Sequence, residues 1–154
     1  MKPAVFTQLY IQLVFSPKNR EALLHKTHNE QLWPYMAQTL INMEHKPIII
    51  NGMTDHIHIF LGLNPKISIS DLVRDLKRSS SLWINEQKWF QGAFAWQDGY
   101  GAFSYGRSQI DDVYKYIQTQ EEHHKKRSFK KEYLEMLRKF GVEYDERYLF
   151  EFFE

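Results

Sequence analysis

Thr54-Asp55-His56-Ile57-His58-Ile59-Phe60-Leu61 is the stretch on which the reading of the fold turns. Side chains along a strand alternate faces, so Ile57, Ile59 and Leu61 point to one side while His56, His58 and Phe60 point to the other. The isoleucine face asks for a core. The histidine face offers two neutral imidazoles one strand repeat apart, a spacing at which both can reach one divalent metal. A half-exposed strand that binds nothing would carry the same pattern.

Outward from this strand, Asp55 to Leu63, the chain organises itself on both sides. Pro47 to Asn51 is a short apolar run, and Gly52-Met53-Thr54 is a tight connection, so the two strands are expected to form a hairpin. Val5 to Phe15 is rich in β-branched and aromatic residues and stops at Ser16-Pro17, which reads as a strand. Between them, Asn29 to Glu44 places Leu32, Tyr35, Met36, Leu40 and Met43 at helical spacing, with Pro34 expected in the first turn. Ser70-Asp71 opens a second helix whose apolar stripe is Leu72, Val73, Leu76, Trp83 and Ile84. Arg74, Lys77, Arg78 and Ser81 lie largely off that stripe. Phe94 to Tyr105 reads as a last strand, broken by a turn or bulge at Asp98-Gly99. Ser108 with Asp111 resembles a capping box for a helix running from Gln109 to about His124. A final helix, Phe129 to Phe140, ends at Gly141.

Strand, helix, strand, strand, helix, strand is the βαββαβ order of ferredoxin-like and RNA-recognition (RRM-like) folds, an α+β sandwich with an antiparallel sheet, here followed by two C-terminal helices. In that layout two helices cover one sheet face and the other stays open. His56, His58 and Phe60 are expected on the open face. The fold alone does not choose an activity.

Composition narrows the classes. With 154 residues, 43% hydrophobic and 16% aromatic, the chain can bury a core of its own. It has no cysteine, which excludes a disulfide framework and thiolate zinc sites and suits a reducing cytoplasm. The N-terminal residues from Met1 to Phe6 lack the apolar run of a signal peptide, and no segment approaches the ~20 apolar residues of a membrane span. Net charge is only +1, low for a protein that holds duplex DNA by bulk electrostatics. Charge is nevertheless segregated: Lys125-Lys126-Arg127 and Lys130-Lys131 are basic, while Glu143, Asp145, Glu146, Glu151 and Glu154 make the tail acidic.

A second constellation lies on the helix that opens at Gln109. Tyr116 and Gln120 are four residues apart and share a face, and His123 and His124 follow one turn on. A phenol can attack a phosphodiester and split a difficult transfer into two easier steps, but near its ordinary pKa of ~10 it needs a metal to polarise the phosphate. Two histidines and a glutamine oxygen would leave positions on such an ion for phosphate and water. That mixed set suits Mg²⁺ or Mn²⁺, with Mn²⁺ the better match for imidazole. Tyr114 and Gln118 form an equally spaced pair, so spacing does not choose between the two. His123 and His124 are expected to be solvated or to touch phosphate.

Together the two constellations resemble the single-tyrosine HUH transposases, the small insertion-sequence transposases and their relatives associated with repeated palindromes. The matching stretches are Leu9 to Phe15, Asn51 to His58, Ser70 to Lys77, Trp96 to Ser104 and Tyr116 to His124. The resemblance implies a metal-dependent enzyme that cuts single-stranded DNA beside a hairpin. It also implies a 5′-phosphotyrosine and a free 3′-hydroxyl, which later rejoins strands. By motif it makes Tyr116 the nucleophile and His56, His58 and Gln120 the ligands of a divalent ion. It implies one domain over 1–154, a homodimer in which the tyrosine helix can complete the partner's site, and action in the bacterial cytoplasm at the nucleoid. Arg74, Lys77 and Arg78 are expected to grip the phosphate backbone, and open-face aromatics to stack on unpaired bases.

Other readings fit less well. A histidine-triad hydrolase needs a third alternate histidine, where Phe60 stands, and a two-motif phosphoesterase needs a second His-x-Thr/Ser copy. A non-catalytic single-stranded nucleic-acid-binding module on the same fold is the alternative from another class.

Overall fold

The computed structural model describes residues 4–153; Met1 to Pro3 and Glu154, the last acidic residue of the tail, lie outside the described residues. Four strands, β1 (Tyr10–Phe15), β2 (Lys46–Gly52), β3 (Ile57–Gly62) and β4 (Gly101–Tyr105), form one antiparallel sheet in the order β2-β3-β1-β4. Helix α1 (Lys26–Asn42) joins β1 to β2, and α2 (Ile69–Gln87) joins β3 to β4. This is the expected ferredoxin-like layout. Three further helices follow: α3 (Ile110–Gln118), the single turn α4 (Gln120–His123) and α5 (Phe129–Lys139).

The period-2 pattern of β3 sets the layers. Ile57, Ile59 and Leu61, paired across β1 with Phe15, Leu13 and Ile11, are buried in one cluster with Leu32, Met36 and Leu40 of α1 and Leu72, Val73, Leu76 and Ile84 of α2. Burying such a side chain contributes roughly 1.5–3 kcal/mol, so this layer fixes which way β3 faces.

The opposite face is not open. Phe60 is fully buried beneath Val113 and Ile117 of α3, and His56 and His58 are buried too. The reason lies in α3 itself: Ile110, Val113 and Ile117 recur at helical spacing and need an apolar partner, which Phe60, Ile48 and Ile49 supply. Base stacking on Phe60, expected for an open face, is therefore blocked.

Element ends differ from the sequence reading for local reasons. β1 starts at Tyr10 rather than Val5, because its partner β3 ends at Gly62, opposite Tyr10. α1 starts at Lys26, so Pro34 sits inside the helix rather than in its first turn. Pro34 and Glu30, whose carbonyl loses a partner there, are both exposed, and solvent can satisfy that carbonyl. The cap of α2 is Ser68, whose Oγ accepts from Asp71 N at 3.1 Å, two residues before the expected start. The run from Phe94 to Tyr105 is cut at Gly99 (φ +86°). Ahead of the cut, Trp96 bridges Pro17 and only Gly101–Tyr105 joins the sheet. No Ser108–Asp111 capping box forms; Gln109 Oε1 instead accepts from Gly106 N at 2.9 Å. α5 ends as expected, with Gly141 at φ +64°.

The helix expected from Gln109 to His124 is broken at Thr119. Asn51, at the end of β2, donates its side-chain amide to the carbonyls of Ile117 (2.8 Å) and Gln118 (3.2 Å). Thr119 Oγ1 bonds back to Lys115 O at 2.8 Å, a contact that bends helices. The break sets Gln120, His123 and His124 on a separate turn.

Candidate active site

His56 and His58 reach the site from the start of β3. The hairpin before them is tight: Met53 N donates to His56 O at 3.1 Å, and a Cβ on Gly52 would lie 2.2 Å from that same oxygen. Glycine is required there by the close approach of the two strands. Their imidazole centroids lie 5.1 Å apart, and His56 stacks on Phe129 at 4.1 Å.

The tyrosine helix meets them in the same chain. Gln120 Oε1 lies 3.0 Å from His56 Nε2. Tyr116 Oη donates to Glu132 Oε2, and the other carboxylate oxygen, Oε1, stands 3.1 Å from His58 Nε2, 3.2 Å from His124 Nε2 and 3.5 Å from His56 Nε2. Gln120 Nε2 donates to Glu132 Oε2 at 3.2 Å, which orients its amide. The structure thus brings His56, His58, Gln120 and Tyr116 together. Tyr114 and Gln118, the equally spaced pair, are both exposed.

Each group is held by a neighbour behind it. His56 Nδ1 is 2.8 Å from Asp55 Oδ1, a carboxylate–histidine pair. His58 Nδ1 accepts from Gln12 Nε2 at 2.8 Å, and Gln12 Oε1 accepts from Tyr105 Oη at 2.7 Å. Burial pushes the Tyr105 phenol up to about 12, so it stays a donor. Tyr116 stacks on His123 at 4.5 Å and accepts from Arg127 Nη2 at 2.8 Å. Burial and then the Glu132 charge raise the Tyr116 phenol well above its ordinary value. Burial holds His58 below the usual imidazole value, and so neutral. Burial alone would push the Glu132 carboxyl up, but hydrogen bonds from His124 and His58 outweigh it and keep the carboxylate ionised.

The donors fit a divalent cation. With a proton on Nδ1, facing Asp55, His56 Nε2 presents a lone pair to Gln120 Oε1, itself an acceptor. Two acceptors pointed at each other need a proton or a cation between them. The His56, His58 and Glu132 donor atoms all lie within 4.8 Å of one another and all three residues are buried.

Sequence reasoning missed Glu132, Arg127, Gln12 and Asn51. Glu132 had a readable signal: it sits in the buried stripe Phe129, Glu132, Tyr133, Met136 of α5, and a carboxylate there needs partners. Gln12 is likewise a lone amide in the buried run of β1. His124, expected to be solvated or on phosphate, is largely buried against Glu132. The three basic residues of α2 part company. Lys77 Nζ donates to the carbonyls of Gln97 (2.8 Å) and Gly99 (2.6 Å), and burial lowers its pKa to about 8. Arg74 is exposed and paired with Asp71 and Asp75, while Arg78 is exposed.

A ferredoxin-like sheet that sets two strand-borne histidines against a helix-borne tyrosine is the arrangement of a single-tyrosine transposase. The chain matches the family described as Transposase IS200 like over residues 5–120, and it belongs to that family. Among solved structures, a transposase candidate from Deinococcus radiodurans R1 shares the fold with a TM-score of 0.61 and 20% identity, over 78% of this chain and 96% of that one. A REP-associated tyrosine transposase bound to a REP hairpin aligns with a TM-score of 0.54 and 13% identity, over 76% of this chain and 70% of that one. No curated protein sequence matches the chain. The family match ends at Gln120, so Arg127 and Glu132 lie beyond it. No helix among the described residues is long and apolar enough to cross a membrane.

Proposed function

We propose that this transposase nicks and rejoins single-stranded DNA beside a hairpin, with Tyr116 as the nucleophile that becomes joined to the 5′ phosphate. The observation that carries the reading is one shared carboxylate: Glu132 takes the Tyr116 hydroxyl on one oxygen and faces His58 Nε2 at 3.1 Å with the other. Tyr116 and the two histidines lie side by side within one chain, which supports their reading as nucleophile and metal ligands and a site completed in cis.

His56, His58 and Gln120 would hold the divalent ion, with Glu132 as a further oxygen donor; imidazole ligands favour Mn²⁺ over Mg²⁺. Such an ion, when bound, polarises the scissile phosphate. The remaining work falls to the chain. Asp55 and Gln12 orient the imidazoles, Asn51 fixes the break that aims Gln120, and Glu132 orients the phenol by accepting its hydrogen bond. Tyr116 Oη gives its proton to water and bonds to phosphorus as the bond to the 3′ oxygen breaks, and that oxygen takes up a proton from water to become the free 3′-hydroxyl.

This reading takes 1–154 as one catalytic domain, a homodimer as the working form, and cellular DNA in the bacterial cytoplasm as its target. The hairpin-bound tyrosine transposase among the structural neighbours supports a hairpin ligand. Arg74 and Arg78 line a groove of about 360 Å³ between α2 and the loop at Gln97 to Tyr100. This groove is the proposed seat for phosphate backbone, with Lys77 holding its wall.

The test incubates the protein with Mn²⁺ and single-stranded DNA carrying candidate hairpins and looks for a covalent adduct on a denaturing gel. Tyr116→Phe is expected to abolish the adduct and Tyr114→Phe to leave it. Intact DNA with no adduct would indicate the binding-module alternative, and cutting without attachment a hydrolase.

A further inference from the structure

We infer that Arg127 is a catalytic residue of this transposase, the group that meets the negative charge on the Tyr116 oxygen when DNA is released from it. The inference rests on Tyr116 being the nucleophile. Arg127 stands in the loop between α4 and α5. Its Nη2 donates to Tyr116 Oη at 2.8 Å, and its Cζ lies 5.9 Å from the phenol ring centroid. Its Nη1 is paired with Glu135, one turn of α5 beyond Glu132. The guanidinium is therefore held from behind by a carboxylate and aimed at the reacting atom, with only 26% of its side chain exposed.

Rejoining is the step that needs this group. The 3′-hydroxyl oxygen bonds to phosphorus, the bond from phosphorus to Tyr116 Oη breaks, and its electron pair stays on Oη as a phenolate. The 3′-hydroxyl proton goes to water, and the phenolate later takes one back. At the moment of departure Oη carries a charge inside a half-buried site that also holds the Glu132 carboxylate. A phenolate beside a carboxylate is a poor leaving group unless a cation touches it. Arg127 makes that contact, and a guanidinium cannot be neutralised by proton loss in this setting. The same contact assists phenolate formation in the forward cut, since both directions pass through one transition state.

The experiment separates the two half-reactions. Covalent adduct is prepared with Mn²⁺ and a hairpin-bearing oligonucleotide, and rejoining is started with an oligonucleotide carrying a free 3′-hydroxyl. Arg127→Ala is expected to slow rejoining by about 10²- to 10³-fold, the usual loss when one preorganised donor is removed. Arg127→Lys keeps part of the rate, and added guanidinium ion restores part of it to the alanine variant. Metal affinity by calorimetry and the thermal midpoint stay close to the parent. Wild-type rejoining in Arg127→Ala would overturn the inference. So would a loss that guanidinium does not rescue and that comes with weakened metal binding, which marks a structural role. If Arg127→Ala does not fold, Arg127→Gln, which keeps a donor without the charge, carries the same expectation. An adduct that persists in Tyr116→Phe overturns the nucleophile assignment and this inference with it; an adduct lost there but rejoined at the parental rate in Arg127→Ala overturns this inference alone.

Discussion

Gln120 Oε1 lies 3.0 Å from His56 Nε2, with the amide fixed by Glu132; when the imidazole proton sits on Nδ1, facing Asp55, Nε2 meets that oxygen as a second acceptor. A cation between them relieves the conflict. Gln120→Leu is therefore expected to weaken Mn²⁺ binding about tenfold or more, on the scale of losing one ligating or orienting group. His56→Gln should weaken it further. Calorimetric titration checks both. His56→Ala is a poorer test, because His56 is buried and stacked on Phe129 and that variant also opens a hole.

Glu132→Gln tests the carboxylate that joins the site. Its side chain is fully buried and accepts from Tyr116, with His58 and His124 against it. Removing the charge is expected to destabilise the metal-free protein by roughly 2–4 kcal/mol, measured by urea unfolding in chelator. The carboxyl is held below its ordinary 4.5, so its contribution is complete at neutral pH and fades as pH falls below that value. The variant's unfolding midpoint should accordingly approach the parent's in acid.

Gln12 governs which nitrogen of His58 carries the proton. As it stands, Gln12 Nε2 donates to Nδ1, so the proton sits on Nε2 and points at Glu132. To offer Nε2 to a metal, His58 must move that proton to Nδ1, and the Gln12 amide must turn its oxygen toward it. The Tyr105 hydroxyl serves either orientation, since it donates and accepts. Gln12→Leu is expected to cost about 10- to 100-fold in metal affinity. Gln12→Glu, which still accepts from Nδ1, should keep most of it.

Asn51 ties the tyrosine helix to the sheet through two carbonyls, those of Ile117 and Gln118. Asn51→Asp keeps the shape but replaces the donor with an acceptor facing both carbonyls, so it should be worse than Asn51→Ala. Misplacing reacting atoms by about 1 Å can cost 10²-fold, so adduct formation should drop by about one to two orders of magnitude. Metal affinity should fall less, because the histidine pair does not depend on that tie. Initial rates of adduct formation on a gel, beside calorimetry, separate the two effects.

The legible part of this molecule was the part written in periodicity. Ile57, Ile59 and Leu61 alternate with His56, His58 and Phe60, and that alternation set the strand, its faces and the ferredoxin-like order. Tyr116 and Gln120 were readable as a pair from their helical spacing, although the chain breaks at Thr119 between them and it is Glu132 that both side chains meet. What stayed hidden was long-range. The choice of Tyr116 over Tyr114 depends on which side of α3 meets Phe60, and neither spacing reveals it. The covering of the second face followed from Val113 and Ile117, whose apolar stripe needed a partner the open-face reading did not supply. Glu132 and Arg127 reach the site from α5 and the loop before it, joined to Tyr116 only by tertiary folding.

Lys77 supplies the last prediction, one of pH. Its amine is folded onto the carbonyls of Gln97 and Gly99, with Phe15 beneath it at 5.2 Å, and burial lowers its pKa from 10.5 to about 8. Below pH 8 the folded and unfolded chains both hold the proton, and the cost of burying the cation is present in full. Between about 8 and 10.5 the unfolded chain keeps a proton that the folded chain has lost, so this residue makes stability rise with pH across that window. The gain should be on the order of 1 kcal/mol once the partial exposure of the amine is allowed for. Lys77→Met lacks the titrating group and should not show the rise. Urea midpoints of the two proteins at pH 7.5 and pH 9.5 are the measurement, and parallel shifts in both would rule out Lys77 as the source. Loss of the charge also weakens the hold on the Gln97 to Gly99 loop. Binding of single-stranded DNA to the groove beside it should therefore decline over the same interval in the parent alone.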